Sequence, residues 1–299
     1  MKRPLSGILL LDKVAGISSN AALQKARWLY QAEKAGHGGT LDPFATGLLP
    51  LLFGEASKFG QYLLGADKGY VVTIRFGRET TTDDPEGDTL REAAIPDLAQ
   101  QDWTNLLASL RGDYLQTPPI FSALKVHGKR AYELARRGEI PELAPRPVQL
   151  HALNLLAVHE EQIVLEVSCS KGTYIRALAR DIGRLLDSAA YAEQLQRTAV
   201  GKLSLAQAHS LQTIEILAPE ARDGLLLPIS ACLDDMARLA IPAAKIRFIR
   251  HGNDIETDAD EGEYALYDEG DFFGIGRVAK GRLYPQRLCR LPDSDKERQ

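Results

Sequence analysis

Three cysteines stand in 299 residues, and Cys169, Cys232 and Cys289 lie far apart with no C-x-x-C pair. That spacing excludes a disulfide framework and a zinc knuckle, and points to a reducing cytoplasm. Long apolar runs are also missing. Near the N-terminus the longest is Ile8 to Leu11, followed at once by Asp12 and Lys13, far short of a spanning helix or a secretory core. Neither a membrane protein nor a secreted one is expected. There is no internal repeat and no low-complexity tract, which removes solenoids and disordered scaffolds. The chain has no G-x-x-x-x-G-K-[ST] phosphate loop and no G-x-S-x-G elbow. Gly274-x-Gly276 is not followed by a helix pattern, so it reads as a strand turn rather than a dinucleotide loop.

What is present describes an ordinary globular chain, 44% hydrophobic and 25% charged, long enough for about two domains. The formal net charge is −4, from 36 Lys and Arg against 40 Asp and Glu. The acids are unevenly placed. Residues 79–102 hold eight of them against Arg91, a net −7, and residues 254–271 hold nine with no base, a net −9. Everything else therefore carries +12, a surface able to hold a polyanion if the acidic segments face elsewhere. Solvated acidic loops are the plainer alternative.

Strand and helix patterns alternate along the chain. Ile8 to Leu11 reads as a short buried strand, and Ser18 or Ser19 can cap a helix with Ala22, Leu23, Ala26 and Leu29 on one face. Tyr70, Val72, Ile74 and Phe76 share one face of a strand. The acidic stretch after it, with Pro85 and Gly87, reads as a turn-rich surface loop. Leu98 to Leu110 predicts a helix around Trp103, and Thr117-Pro118-Pro119 then opens a basic segment from Phe121 to Arg146 that includes Lys125, Lys129, Arg130, Arg136, Arg137 and Arg146. Leu150–Val158 and Ile163–Cys169 predict a hairpin, and Thr173–Leu186 a helix buried along Ile175, Leu178, Ala179, Ile182 and Leu186. Strand pairs close in sequence favour an α+β fold with a mixed, largely antiparallel sheet. The helical pattern ends between Pro228 and Pro242. Ile246 to Pro292 reads as a small β-rich unit with turns at Gly252, Gly270, Gly274 and Gly281.

The loop Gly36-His37-Gly38-Gly39-Thr40-Leu41-Asp42-Pro43 is the first candidate for chemistry. Its glycines permit close backbone approach, and Asp42 before proline projects a carboxylate from a restricted backbone. An esterase oxyanion loop needs the missing elbow, and a metal site on His37 and Asp42 lacks further ligands at suitable spacing. A turn aspartate remains the plain reading of an isolated Asp-Pro.

Gly38-Gly39-Thr40-Leu41-Asp42-Pro43-Phe44-Ala45-Thr46-Gly47-Leu48-Leu49 resembles the catalytic motif of the TruB family, which isomerises uridine 55 in the T loop of tRNA. Further matches follow in family order: Asp12-Lys13 with Gly16; Lys68-Gly69-Tyr70; Pro118-Pro119 through Ser122-Ala123-Leu124-Lys125-Val126 and Gly128-Lys129-Arg130-Ala131-Tyr132; Cys169-Ser170-Lys171-Gly172-Thr173-Tyr174-Ile175-Arg176; and Leu195 with Arg197-Thr198 and Gly201. Val14 stands where proline usually follows the lysine, and Phe121 where tyrosine is common.

The resemblance implies a pseudouridine synthase catalytic domain over 1–230 with a basic, RNA-gripping insertion at about 121–148. It also implies a small PUA-like RNA-binding domain over 240–292 and a tail at 293–299. Asp42 is expected as the essential catalytic carboxylate, Arg176 as its partner, and Tyr70 as the residue that stacks on the base and relays a proton. Tyr174 and Leu195 complete the base pocket. His37 is the candidate wedge for the gap left by a flipped base, Lys13 supports the loop or a phosphate, and Lys125 and Arg130 grip the T-arm backbone. No metal, cofactor or obligate protein partner is implied, and the compartment is cytoplasmic. A non-catalytic RNA-binding protein and a guide-RNA-dependent relative are the competing classes. Such relatives usually carry long basic tails, whereas Asp293 to Gln299 is short and mixed in charge.

Overall fold

The structure, a computed structural model, describes residues 2–290 other than 123, 127, 132, 133, 135, 136, 140, 141 and 234. Of Lys125, Val126, Lys129 and Arg130 it describes the backbone alone.

Consecutive apolar residues in Gly7–Lys13 (β1) and Thr46–Phe53 (β3) are buried on both faces, the pattern of a central rather than a one-sided strand. The two pair antiparallel from Gly7 opposite Phe53 to Lys13 opposite Gly47. Ala35–His37 (β2) runs beside the far end of β3. Lys68–Phe76 (β4) buries Tyr70, Val72, Ile74 and Phe76, the face expected from their alternation. Arg78–Thr80 (β5) and Thr89–Glu92 (β6) form a small hairpin, followed by Gly112–Gln116 (β7) and the short pair Lys125–Val126 (β8) and Lys129–Arg130 (β9). Arg146–Val158 (β10) and Gln162–Cys169 (β11) make the expected hairpin. Ala190–Val200 (β12), Leu203–Ser204 (β13) and His209–Ser210 (β14) complete the large sheet.

Its order is β14-β1-β3-β12-β4-β11-β10-β7, with β2 against β3 and β13 against β12. Most pairings are antiparallel, while β1–β14 and β12–β3 are parallel, so the mixed α+β reading holds. A second, five-stranded sheet comprises Ala237–Ala240 (β15), Ile255–Glu256 (β16), Gly262–Asp268 (β17), Asp271–Ala279 (β18) and Arg282–Leu288 (β19), ordered β15-β17-β18-β19-β16. Gly252, Gly270 and Gly281 turn the chain there with φ of +85°, +99° and +71°. Gly274 does not: it lies inside β18, where a Cβ would come 2.6 Å from the Arg287 carbonyl oxygen of β19. The sequence signal was close strand approach rather than a turn.

Helix starts follow their caps. Ser18 accepts from the Ala21 amide at 3.1 Å and opens helix Ser19–Leu29, which buries Ala22, Leu23, Ala26 and Leu29. The helix expected from Leu98 begins instead at Trp103, because Asp102 accepts from the Asn105 amide at 3.1 Å. Leu98–Gln100 is a separate 3₁₀ turn.

The acidic stretch after β4 matches expectation in part: Pro85, Glu86 and Asp88 are exposed in a turn-rich segment, whereas Glu79, Asp83 and Asp84 before them are buried. Their carboxylates meet the arginines of helix Ile175–Leu185. Glu79, Asp83 and Asp84 therefore pair with helix arginines, two of them buried, instead of turning negative charge away from a basic face.

Candidate active site

The strand order brings the sequence motifs together. At one level of the sheet Gly47 of β3, Arg197 of β12 and Tyr70 of β4 are successive partners. Gly47 has φ +95°, and a Cβ there would overlap the Arg197 carbonyl oxygen, so only glycine suits this crossing. The segment entering β3 carries Asp42. Its backbone is tied down on both sides: Ser19 Oγ accepts from the Leu41 amide and donates to the Leu41 carbonyl, both at 2.7 Å. Lys13 Nζ donates to the carbonyls of Val14 (2.9 Å), Ile17 (2.8 Å) and Pro43 (3.2 Å).

Arg176, in the first turn of its helix, reaches this loop. Its Nε lies 2.9 Å from Asp42 Oδ2, and the side chains are 5% and 37% exposed, so the carboxylate is the accessible end of the pair. The terminal nitrogens are held elsewhere. Nη1 donates to the Thr82 carbonyl at 2.6 Å and to Asp84 Oδ2 at 3.1 Å, while Nη2 donates to the Phe121 carbonyl at 2.9 Å. Asp42 thus receives one nitrogen of the guanidinium rather than a paired fork. The other bonds fix the arginine instead. Phe121 contributes through its backbone, which the usual tyrosine would supply equally.

Two residues beyond the sequence reading enter the site here. Asp84 is buried against Arg176, and its carboxyl is pushed up by burial against the opposing pull of Thr82 and Arg176. Gln116 accepts from the Tyr174 amide at 2.8 Å and donates to the Tyr174 carbonyl at 3.1 Å, locking the residue that precedes the helix. A signal for the first was available. Arg176, Arg180 and Arg184 recur at four-residue spacing, and Asp84, Asp83 and Glu79 meet them in reverse order. Asp83 has φ +58°, a conformation aspartate tolerates, and this turn lets neighbouring carboxylates serve successive helix turns.

The remaining candidates take distinct places. Tyr70 is buried beside Arg197, its register partner on β12, and burial pushes the phenol up to about 12 against the pull of that cation, so it stays protonated at neutral pH. Leu195 is buried on β12 opposite Val72. Tyr174 is half-buried, its phenol raised by burial, with Ser122 as its hydroxyl neighbour. His37 ends β2 opposite Leu51 rather than lying in a glycine-flanked loop, because its backbone pairs with β3. It is half-buried, and its enclosed Nδ1 has no hydrogen-bond partner among the described residues. Burial and the Arg197 cation pull its pKa down, so the ring is neutral at neutral pH. Lys13 is fully buried, and its ammonium donates to backbone carbonyls. The Lys125 and Arg130 side chains, together with Ala123, Tyr132, Arg136 and the tail from 293 to 299, lie outside the described residues. Among the described residues no helix is long and apolar enough to cross a membrane.

Residues 27–175 match the model described as TruB family pseudouridylate synthase, N-terminal domain, and residues 237–289 match pseudouridine synthase II TruB, C-terminal. The chain is 44% identical over 299 residues to a tRNA pseudouridine synthase B of Stutzerimonas stutzeri, covering 97% of each chain. It is 46% identical over 298 residues to that of Pseudomonas aeruginosa, covering 97% of this chain and 98% of the relative. In fold it is similar to the archaeal box H/ACA sRNP Nop10–Cbf5 complex, with TM-score 0.73, 18% identity, and coverage of 96% and 87% of the two chains.

Proposed function

Because this chain belongs to the TruB family, we propose that it converts uridine 55 in the T loop of tRNA to pseudouridine, with Asp42 as the essential carboxylate. The protein is a tRNA pseudouridine synthase, an isomerase. The reaction breaks the bond from C1′ to N1, turns the base, and joins C1′ to C5. C5 loses its hydrogen to solvent and N1 gains one, so the product is an isomer of the substrate. The observation that carries the reading is the half-exposed Asp42 set against Arg176, whose other nitrogens are held by Asp84, Thr82 and Phe121.

Several local features support individual roles. A stacked uridine must leave the loop to meet Asp42. The neutral His37 ring can stack in the gap. Tyr70, Tyr174 and Leu195 wall the base, and the protonated Tyr70 phenol can hand on a proton. Lys13 supports the loop from within. Lys125 and Arg130 grip T-arm phosphates. Residues 1–230 form the catalytic unit and 240–292 the RNA-holding unit. The enzyme acts in the cytoplasm and needs no protein partner.

The test is positional. A tRNA transcript treated with enzyme, then with a carbodiimide that marks pseudouridine, should stop reverse transcription immediately 3′ of position 55. Stops elsewhere, or none, contradict the assignment. Tight binding without any stop favours an RNA-binding protein that flips bases without isomerising them.

A further inference from the structure

Arg197 is 2% exposed and sits inside the sheet, and among the described residues no carboxylate pairs with it. A buried charge without an anion is costly, and apolar side chains of similar size commonly replace such groups with no loss of stability. What Arg197 holds is therefore the informative point. Nε donates to the Leu48 carbonyl at 2.8 Å, Nη2 to the Gly39 carbonyl at 3.1 Å, and Nη1 to the Thr40 carbonyl at 3.3 Å. The same residue is the register partner of Tyr70 on the neighbouring strand, whose phenol lies beside the guanidinium. Its carbonyl partners bracket Asp42 in the chain, and its phenol neighbour belongs to β4.

We infer that Arg197 is a positioning residue for the proposed isomerisation: it ties the Asp42 loop to Tyr70 across β12 and so sets the carboxylate against the ring that faces the base. The role rests on the function proposed above. Arg197 itself is too enclosed to meet RNA, and acts only through the groups it holds. Lys13 secures the other side of the loop through Pro43, so Asp42 is flanked by two buried cations that both spend their donors on backbone. Gly47 completes the arrangement, since a side chain there would push Arg197 away from the strand that carries the loop.

Arg197→Lys tests this, because an ammonium keeps the charge but cannot span the carbonyls of Gly39, Thr40 and Leu48 as a planar fork does. The variant should melt cooperatively and bind a T-arm stem-loop within about threefold of wild type. Its single-turnover rate should fall about a hundredfold, the scale of a small misplacement of reacting groups. Hydrogen exchange should quicken in peptides covering 38–48 and remain unchanged elsewhere. A rate equal to wild type, a loss confined to RNA affinity, or the absence of a cooperative melt each overturns the role. Wild type run in parallel separates the two failures. No turnover by wild type overturns the proposed function, whereas equal turnover by both proteins overturns the role of Arg197 alone.

Discussion

At the scale of single residues, the account depends on how many atoms hold Arg176. A lysine at this position reaches one or two acceptors and leaves the rest of a buried cluster unmatched. Arg176→Lys should therefore lower kcat about a hundredfold while leaving stem-loop affinity within about threefold, read from single-turnover kinetics and a binding titration. Equal losses in kcat and affinity would instead make Arg176 an RNA contact. Asp84→Asn keeps the shape and removes a charge, and the Thr82 carbonyl still holds the same nitrogen. A smaller loss, about tenfold or ~1.4 kcal/mol of barrier, is expected from the same kinetics. Burial and Arg197 pull the His37 imidazole below its ordinary range, so any titration of its contribution in the pH profile of the single-turnover rate should fall on the acid side of a free imidazole's.

At the scale of elements, the helix Ile175–Leu185 and the acidic turn before it work as one unit. Burial outweighs the pull of Arg180 and pushes Asp83 up to about 6, above its ordinary value in an unfolded chain. Between about pH 6 and 4 the folded protein then binds a proton that the unfolded chain does not, so this group adds stability as pH falls through that window. The denaturant midpoint of wild type should gain on that of Asp83→Asn between about pH 7.5 and 4.5. Parallel curves for the two proteins would contradict the buried pairing. The helix Ser19–Leu29 offers a simpler check, since Ser18→Ala removes its cap and should cost about 1 kcal/mol in the same measurement.

This unit also marks what could be read in the chain and what could not. Alternation in Tyr70–Phe76, the helical spacing after Ser18 and the hairpin at 150–169 are local patterns, and local patterns survive folding. The Asp42 motif and Arg176 were legible through family resemblance, although their separate anchorage was not. Burial of Glu79, Asp83 and Asp84 depends on a helix about ninety residues later in the chain. An acidic run with proline and glycine is locally indistinguishable from a solvated loop. Likewise Gly274 reads as a turn until β19 is laid against it.

At the scale of the whole molecule, the two sheets share apolar packing. Ile8, Leu10 and Phe59 from the first part of the chain cluster with Ala265 and Ile275 of the second sheet, and Phe59 meets Phe272 edge-on with ring centroids 5.3 Å apart. Phe59→Ala should destabilise by about 3–5 kcal/mol and leave a single unfolding transition. Two separate calorimetric transitions would show that the units unfold independently. The direct measurement of the central claim is tritium release from a T-arm stem-loop carrying uridine labelled at C5, with purified protein, chelator and no added cofactor. Wild type should release the label as the new C–C bond forms and Asp42→Asn should release none; release by the variant at the wild-type rate, or none by wild type from either the stem-loop or whole tRNA, would contradict the account.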